Sequence, residues 1–173
     1  MVVIITGASH VGKTLLAQRM LEKYKMPYLS VDHLKMGLIR SGYTALTPDD
    51  DAALKDYLWP IVREIIKTAI ENRQDLIVEG CYVPADWRKD FDGRYLPFIR
   101  FLCLAMTESY IDKHFGEILG HESDIESRLI EADCTAEGLK QCNRWFIEAF
   151  GAAGEDVVLI EDDYEKVLKG LID

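Results

Sequence analysis

Eight consecutive residues, Gly7-Ala8-Ser9-His10-Val11-Gly12-Lys13-Thr14, match the pattern G-x-x-x-x-G-K-[ST] in full. Average residue usage produces that match by chance in roughly 0.6 per cent of chains of this length. Its chemistry is phosphate binding. Successive backbone N–H groups of such a loop, here those around Ala8, Ser9 and Val11, wrap an anion together with the positive end of a following helix. Gly7 and Gly12 supply backbone freedom and close approach, the Lys13 ammonium neutralises β- and γ-phosphate charge, and the Thr14 hydroxyl ligates Mg²⁺. His10 occupies the variable part of the loop, where it lines the nucleotide or faces solvent. A nucleoside triphosphate and Mg²⁺ are the expected ligands; the alternative is a Gly-rich turn with a solvated lysine.

A loop of this kind works only between a strand and a helix, and the flanking residues read that way. Val2 to Thr6 is a continuous β-branched run ending at Gly7, the mark of a strand covered on both faces. From Lys13 to Tyr24, Leu15, Leu16, Met20 and Leu21 recur at helical spacing. Further apolar runs at Pro27 to Val31, Leu76 to Val78, Phe98 to Met106 and Val157 to Ile160 alternate with helical segments. Five short strands alternating with helices predict an α/β fold with a parallel sheet and helices on both faces. Thr47 as N-cap with Pro48 at the first helical position predicts a helix running to about Asn72, bent or broken at Pro60. No linker or repeat divides the chain, so residues 1–173 are expected to form one domain.

Ligands of such sheets sit beyond the carboxyl ends of the strands. Two acids are expected at that level: Asp32, after the run Tyr28 to Ser30, and Glu79, closing Leu76-Ile77-Val78. Each has a plainer reading, Asp32 as a helix N-cap and Glu79 as the end of a strand.

The 173 residues are 49% hydrophobic and 29% charged, a globular composition. A net charge of -10 argues against a broad grip on nucleic acid or an anionic membrane. The charge is uneven: Met1 to Pro48 carries +4 and the remainder -14. Cys81, Cys103, Cys134 and Cys142 form no CxxC pair and read as reduced thiols. The opening apolar run stops at Gly7, too short for a secretion signal or a membrane span, and a cytoplasmic location is expected.

Three blocks together resemble the P-loop small-molecule kinases: Gly7 to Thr14, Leu29-Ser30-Val31-Asp32-His33-Leu34-Lys35, and Leu76-Ile77-Val78-Glu79-Gly80-Cys81-Tyr82-Val83-Pro84. That group holds nucleoside monophosphate, shikimate and gluconate kinases. The third block resembles the E-G-x-x-x-P block of 2-phosphoglycerate kinase-like members more closely than the D-G-F-P-R of adenylate kinases, and the chain as a whole is most similar to 2-phosphoglycerate kinase-like or zeta-toxin-type members. The resemblance implies a three-layer P-loop NTPase fold with a five-stranded parallel sheet and a helical lid insertion. It implies transfer of the γ-phosphate of ATP to a hydroxyl or phosphate of a small metabolite or nucleotide, by a monomer or homodimer. Lys13, Asp32 and Arg128 would be catalytic, with Asp32 accepting the acceptor's proton. Asp32, Lys35, Arg40 and Glu79 would face the acceptor across a helical region at 33–72, and Glu79 would join Thr14 in serving Mg²⁺. Lys35 stands where nucleoside monophosphate kinases carry arginine and lacks the bidentate fork that matches a phosphate. Glu161, Asp162, Asp163 and Tyr164 fall at the level of the family's adenine pocket.

The lid is expected within 107–137, a stretch with nine acids against Lys113 and Arg128. Arg128 is the candidate for stabilising charge on the transferring group; otherwise it is an ordinary surface arginine. Lys35, Arg40 and the cluster Arg88, Lys89, Arg94 and Arg100 have the same alternative of a solvated face. His114 and His121 lie among carboxylates but lack metal-ligand spacing. Alternatives to a metabolite kinase are a toxin-type nucleotide-sugar kinase, a regulatory NTPase and a non-catalytic nucleotide-binding protein. The regulatory reading lacks an N-K-x-D motif.

Overall fold

The run Val2–Gly7 forms β1, and burial of all six residues explains its unbroken apolar pattern. In the computed structural model, which describes residues 1–120 and 134–172, β1 is the central strand of a five-stranded parallel sheet ordered β2-β3-β1-β4-β5. The other strands are β2 (Tyr28–Ser30), β3 (Leu76–Glu79), β4 (Ile99–Met106) and β5 (Val157–Ile160). The register sets Ile5 and Ser30 opposite Glu79 and Gly7 opposite Leu104. The carboxyl ends of the three strands carrying candidate residues are therefore level.

Among the described residues, six α-helices connect and cover the sheet: α1 (Lys13–Tyr24), α2 (Val31–Arg40), α3 (Asp51–Glu71), α4 (Glu108–Gly120), α5 (Ala136–Ala152) and α6 (Tyr164–Ile172). From β1 the chain moves outward to β2, then returns through β3 towards β4 and β5. With right-handed crossovers, that reversal places α1 on one face and α3, α4 and α5 on the other. An aromatic chain marks the second face, running from Trp59 of α3 through Phe91, Trp87 and Phe101 to Phe150 of α5, with ring centroids 5.0–6.2 Å apart. Arg19 of α1 forks onto Glu165 of α6 through two 2.8 Å bonds, closing the first face.

Helix α3 departs from expectation at its start. The Asp50 carboxylate accepts from the Thr47 N–H at 2.7 Å and its hydroxyl at 2.8 Å, while the Asp50 N–H bonds back to the Thr47 carbonyl. Thr47 and Pro48 thus belong to a turn, and the helix begins at Asp51 with Asp50 as N-cap. Pro60 does not break α3. Pro60 and Asp56, whose carbonyl loses its helical donor, are both exposed, so water can satisfy that carbonyl.

On β4 the buried Met106 N–H donates to Asn143 Oδ1 at 2.7 Å, and Asn143 Nδ2 donates to the Leu139 carbonyl at 2.8 Å. Asn143→Ala is expected to cost about 1–3 kcal/mol by orphaning that strand donor, read from the shift in urea midpoint. Among the described residues, no helix is long and apolar enough to cross a membrane.

Candidate functional site

The loop after β1 is shaped by two glycines. Gly7 has φ +140°, and a Cβ there would lie 2.1 Å from the Leu104 carbonyl oxygen of β4. Only glycine lets the chain turn this close to its neighbouring strand. Gly12, with φ +82°, is the N-cap of α1, and a Cβ there would lie 1.8 Å from the Tyr164 hydroxyl. Neither Gly12 nor an acid in the first turn offers a side chain to the first N–H groups of α1, so that end of the helix keeps its positive character. His10 also has positive φ, and its ring nitrogens are buried rather than turned to solvent. Lys13 Nζ folds back to donate to the Ala8 carbonyl at 2.6 Å, and Thr14 Oγ1 donates to Glu79 Oε2 at 3.4 Å. Glu79 is 2% exposed, so a carboxylate and a hydroxyl meet beneath the loop.

Asp32 is the second residue of α2 rather than its N-cap, which is Ser30. Its Oδ1 pairs with Lys35 Nζ at 2.8 Å. Lys35 also donates to the Tyr82 hydroxyl at 3.0 Å and lies over its ring, 5.1 Å from the centroid. The Tyr82 hydroxyl in turn donates to Asp51 Oδ1 at 3.0 Å. Burial, reinforced by the charges of Cys81 and Asp51, pushes the Tyr82 phenol far above its ordinary range, so it stays a neutral donor. Burial also raises the Cys81 thiol; Asp32 and Asp51 push it further up, while Lys13 and Lys35 oppose them.

The other candidates are placed elsewhere or are already engaged. Arg40 is exposed in the last turn of α2, about 12 Å along the axis from Asp32. Arg88 forks onto the buried Glu155, Lys89 pairs with Asp86, Arg94 with Asp92, and Arg100 donates to the Leu171 carbonyl. Arg128 and His121 lie outside the described residues. Of the candidate lid, the described part includes α4, whose Tyr110, Ile111 and Ile118 are buried and whose Glu108 and Asp112 pair with Arg144 and Lys140 of α5. His114 stacks on Tyr110 and bonds Glu117 at 2.8 Å. Tyr164 opens α6 beside the loop.

Tyr82 and Asp51 carry no motif that singles them out. The only sequence signals were the position of Tyr82 two residues after Gly80, and the run Asp49-Asp50-Asp51, which marks a helix start. Cys103, on β4 behind the loop, is pushed up to about 12 by burial. Native protein treated with an alkylating reagent near pH 8 is expected to keep Cys103 unmodified, and urea-unfolded protein to lose that protection, as read by peptide mass spectrometry.

No protein-family model matches the chain, and no curated protein matches it. Solved structures do. A sugar kinase from Janibacter sp. HTCC2649 superposes with a TM-score of 0.60 at 16% identity, covering 99% of this chain and 91% of that one. A gluconokinase from Sinorhizobium meliloti 1021 gives 0.52 at 13% identity over 98% and 88%. Shikimate kinase from Aquifex aeolicus gives 0.51 at 15% identity over 99% and 94%. At such identities the likeness speaks for backbone architecture: the chain has the α/β fold of the P-loop small-molecule kinases.

Proposed function

We propose that this chain is an ATP- and Mg²⁺-dependent kinase that transfers the γ-phosphoryl group of ATP to a hydroxyl of a small molecule. One observation carries the reading: β3 lies between β1 and β2 with their carboxyl ends level, so the loop after β1, Glu79 bonded by Thr14, and Asp32 just beyond Ser30 line one edge of the sheet, where a donor phosphate and an acceptor hydroxyl can be held side by side. The loop amides and Lys13 would bind the triphosphate, with Gly7 and Gly12 keeping side chains out of its way. Thr14 and Glu79 offer the oxygen donors that suit Mg²⁺, directly or through water. When bound, that ion neutralises charge on the phosphate oxygens.

Asp32 would accept the acceptor's proton as the hydroxyl oxygen bonds to the γ-phosphorus. The bond from that phosphorus to the β–γ bridging oxygen breaks, and ADP leaves with the electron pair. Lys35, paired to Asp32 and bonded to Tyr82, would hold the carboxylate in place. The test is calorimetric titration with a non-hydrolysable ATP analogue, with and without Mg²⁺, followed by ATP-consumption assays over hydroxylated metabolites. Mg²⁺-dependent binding followed by acceptor-dependent ADP release is expected. Failure to bind the analogue in the presence of Mg²⁺ overturns the proposal.

A further inference from the structure

The acceptor end of the site has an unusual charge balance for a kinase whose neighbours in fold include one for gluconate and one for shikimate. Two carboxylates, Asp32 and Asp51, stand against one ammonium, that of Lys35. Among the described residues, Lys35 is the cation that contacts this group, and its side chain is only 13% exposed. Its Nζ is already held by Asp32 at 2.8 Å and by the Tyr82 hydroxyl at 3.0 Å. Lys13 belongs to the phosphate loop. The arginines after β3 that might have met an anion are forked onto Glu155 and Asp92, and Arg40 lies at the far end of α2.

Resting on the kinase reading above, we infer that the acceptor is a hydroxylated small molecule without an anionic group: an uncharged polyol or its amino-substituted counterpart. Carboxylates only accept hydrogen bonds, so Asp32 and Asp51 select groups that donate, which hydroxyl and ammonium groups do. A carboxylate or phosphate on the acceptor brings acceptor oxygens alone, facing two like charges. To reach Lys35, the one cation that contacts this group among the described residues, it must displace Asp32, leaving a partly buried carboxylate without its partner. Discrimination of this kind works through the penalty imposed on the wrong ligand.

The test uses the full chain with ATP and Mg²⁺ and matched acceptors: hexoses, alditols, aminohexoses and aminocyclitols, each against a carboxylate or phosphate counterpart. Binding of a non-hydrolysable ATP analogue is measured in parallel. The best uncharged or amino member is expected to exceed its anionic counterpart in kcat/KM by about 10²-fold. In Asp51→Asn that ratio is expected to shrink about tenfold with analogue binding retained. Equal or faster turnover of an anionic member overturns the inference and leaves the kinase reading standing. So does intact analogue binding with no turnover of any uncharged or amino member. Loss of analogue binding by the wild type overturns the kinase reading, and this inference with it.

Discussion

Lys13→Ala is expected to lower kcat/KM for ATP by about 10³-fold, the range seen when one preorganised donor to a transition-state oxyanion is removed. On the proposed reading the substitution removes the ammonium that would neutralise the phosphates, and water cannot replace a charge anchored to the loop. The conformation of the loop does not depend on it. Gly7 is shaped by its contact with the Leu104 carbonyl and Gly12 by its packing against Tyr164, and both remain. Among the described residues, the bond lost is that from Nζ to the Ala8 carbonyl, which is worth about 1 kcal/mol. Thermal unfolding should therefore stay close to wild type while steady-state turnover collapses and the affinity for an ATP analogue weakens. Turnover within threefold of wild type would remove the loop from the chemistry.

What could be read in advance divides by the range of the interaction. The pattern Gly7 to Thr14 is local, eight consecutive residues, so its place between β1 and α1 could be read directly, whereas Leu104 and Tyr164, which crowd its two glycines, come from distant parts of the chain. Asp32 and Glu79 were accessible because a parallel sheet sends functional side chains to the carboxyl ends of its strands. Asp51 and Tyr82 are joined by a bond across 31 residues, and neither has a local signature; only the packing of α3 beside the end of β3 brings them together. The helix-start signals at Thr47 and Pro48 were real but are consumed by a turn in which Asp50 takes both Thr47 donors. That displacement puts Asp51 at the head of α3, where it meets Tyr82. Arg40 was misleading because five residues on a helix amount to about 500°, which leaves it some 140° around from Lys35. Two of the four basic residues after β3, Lys89 and Arg94, are balanced by acids two or three residues away, Asp86 and Asp92, a compensation visible in sequence; the pairings of Arg88 with Glu155 and of Arg100 with the Leu171 carbonyl were not.

Asp32→Asn separates chemistry from architecture at the acceptor side. If Asp32 takes the acceptor's proton, kcat should fall by about 10²–10⁴-fold, with the affinity for an ATP analogue unchanged. The substitution also deprives Lys35 of its anion. Lys35 keeps the Tyr82 hydroxyl, and Asp32 is 32% exposed, so solvent screening limits the stability cost to about 1 kcal/mol. A fall in turnover could then come from a displaced lysine rather than a missing base. The double variant Asp32→Asn with Lys35→Met resolves this, since it removes the unpaired ammonium together with the base. Recovery of stability with turnover still depressed by the full factor places the proton on Asp32. Recovery of turnover to within tenfold of the wild type would make Asp32 a positioning residue that holds Lys35, and the proton would have to leave by another route.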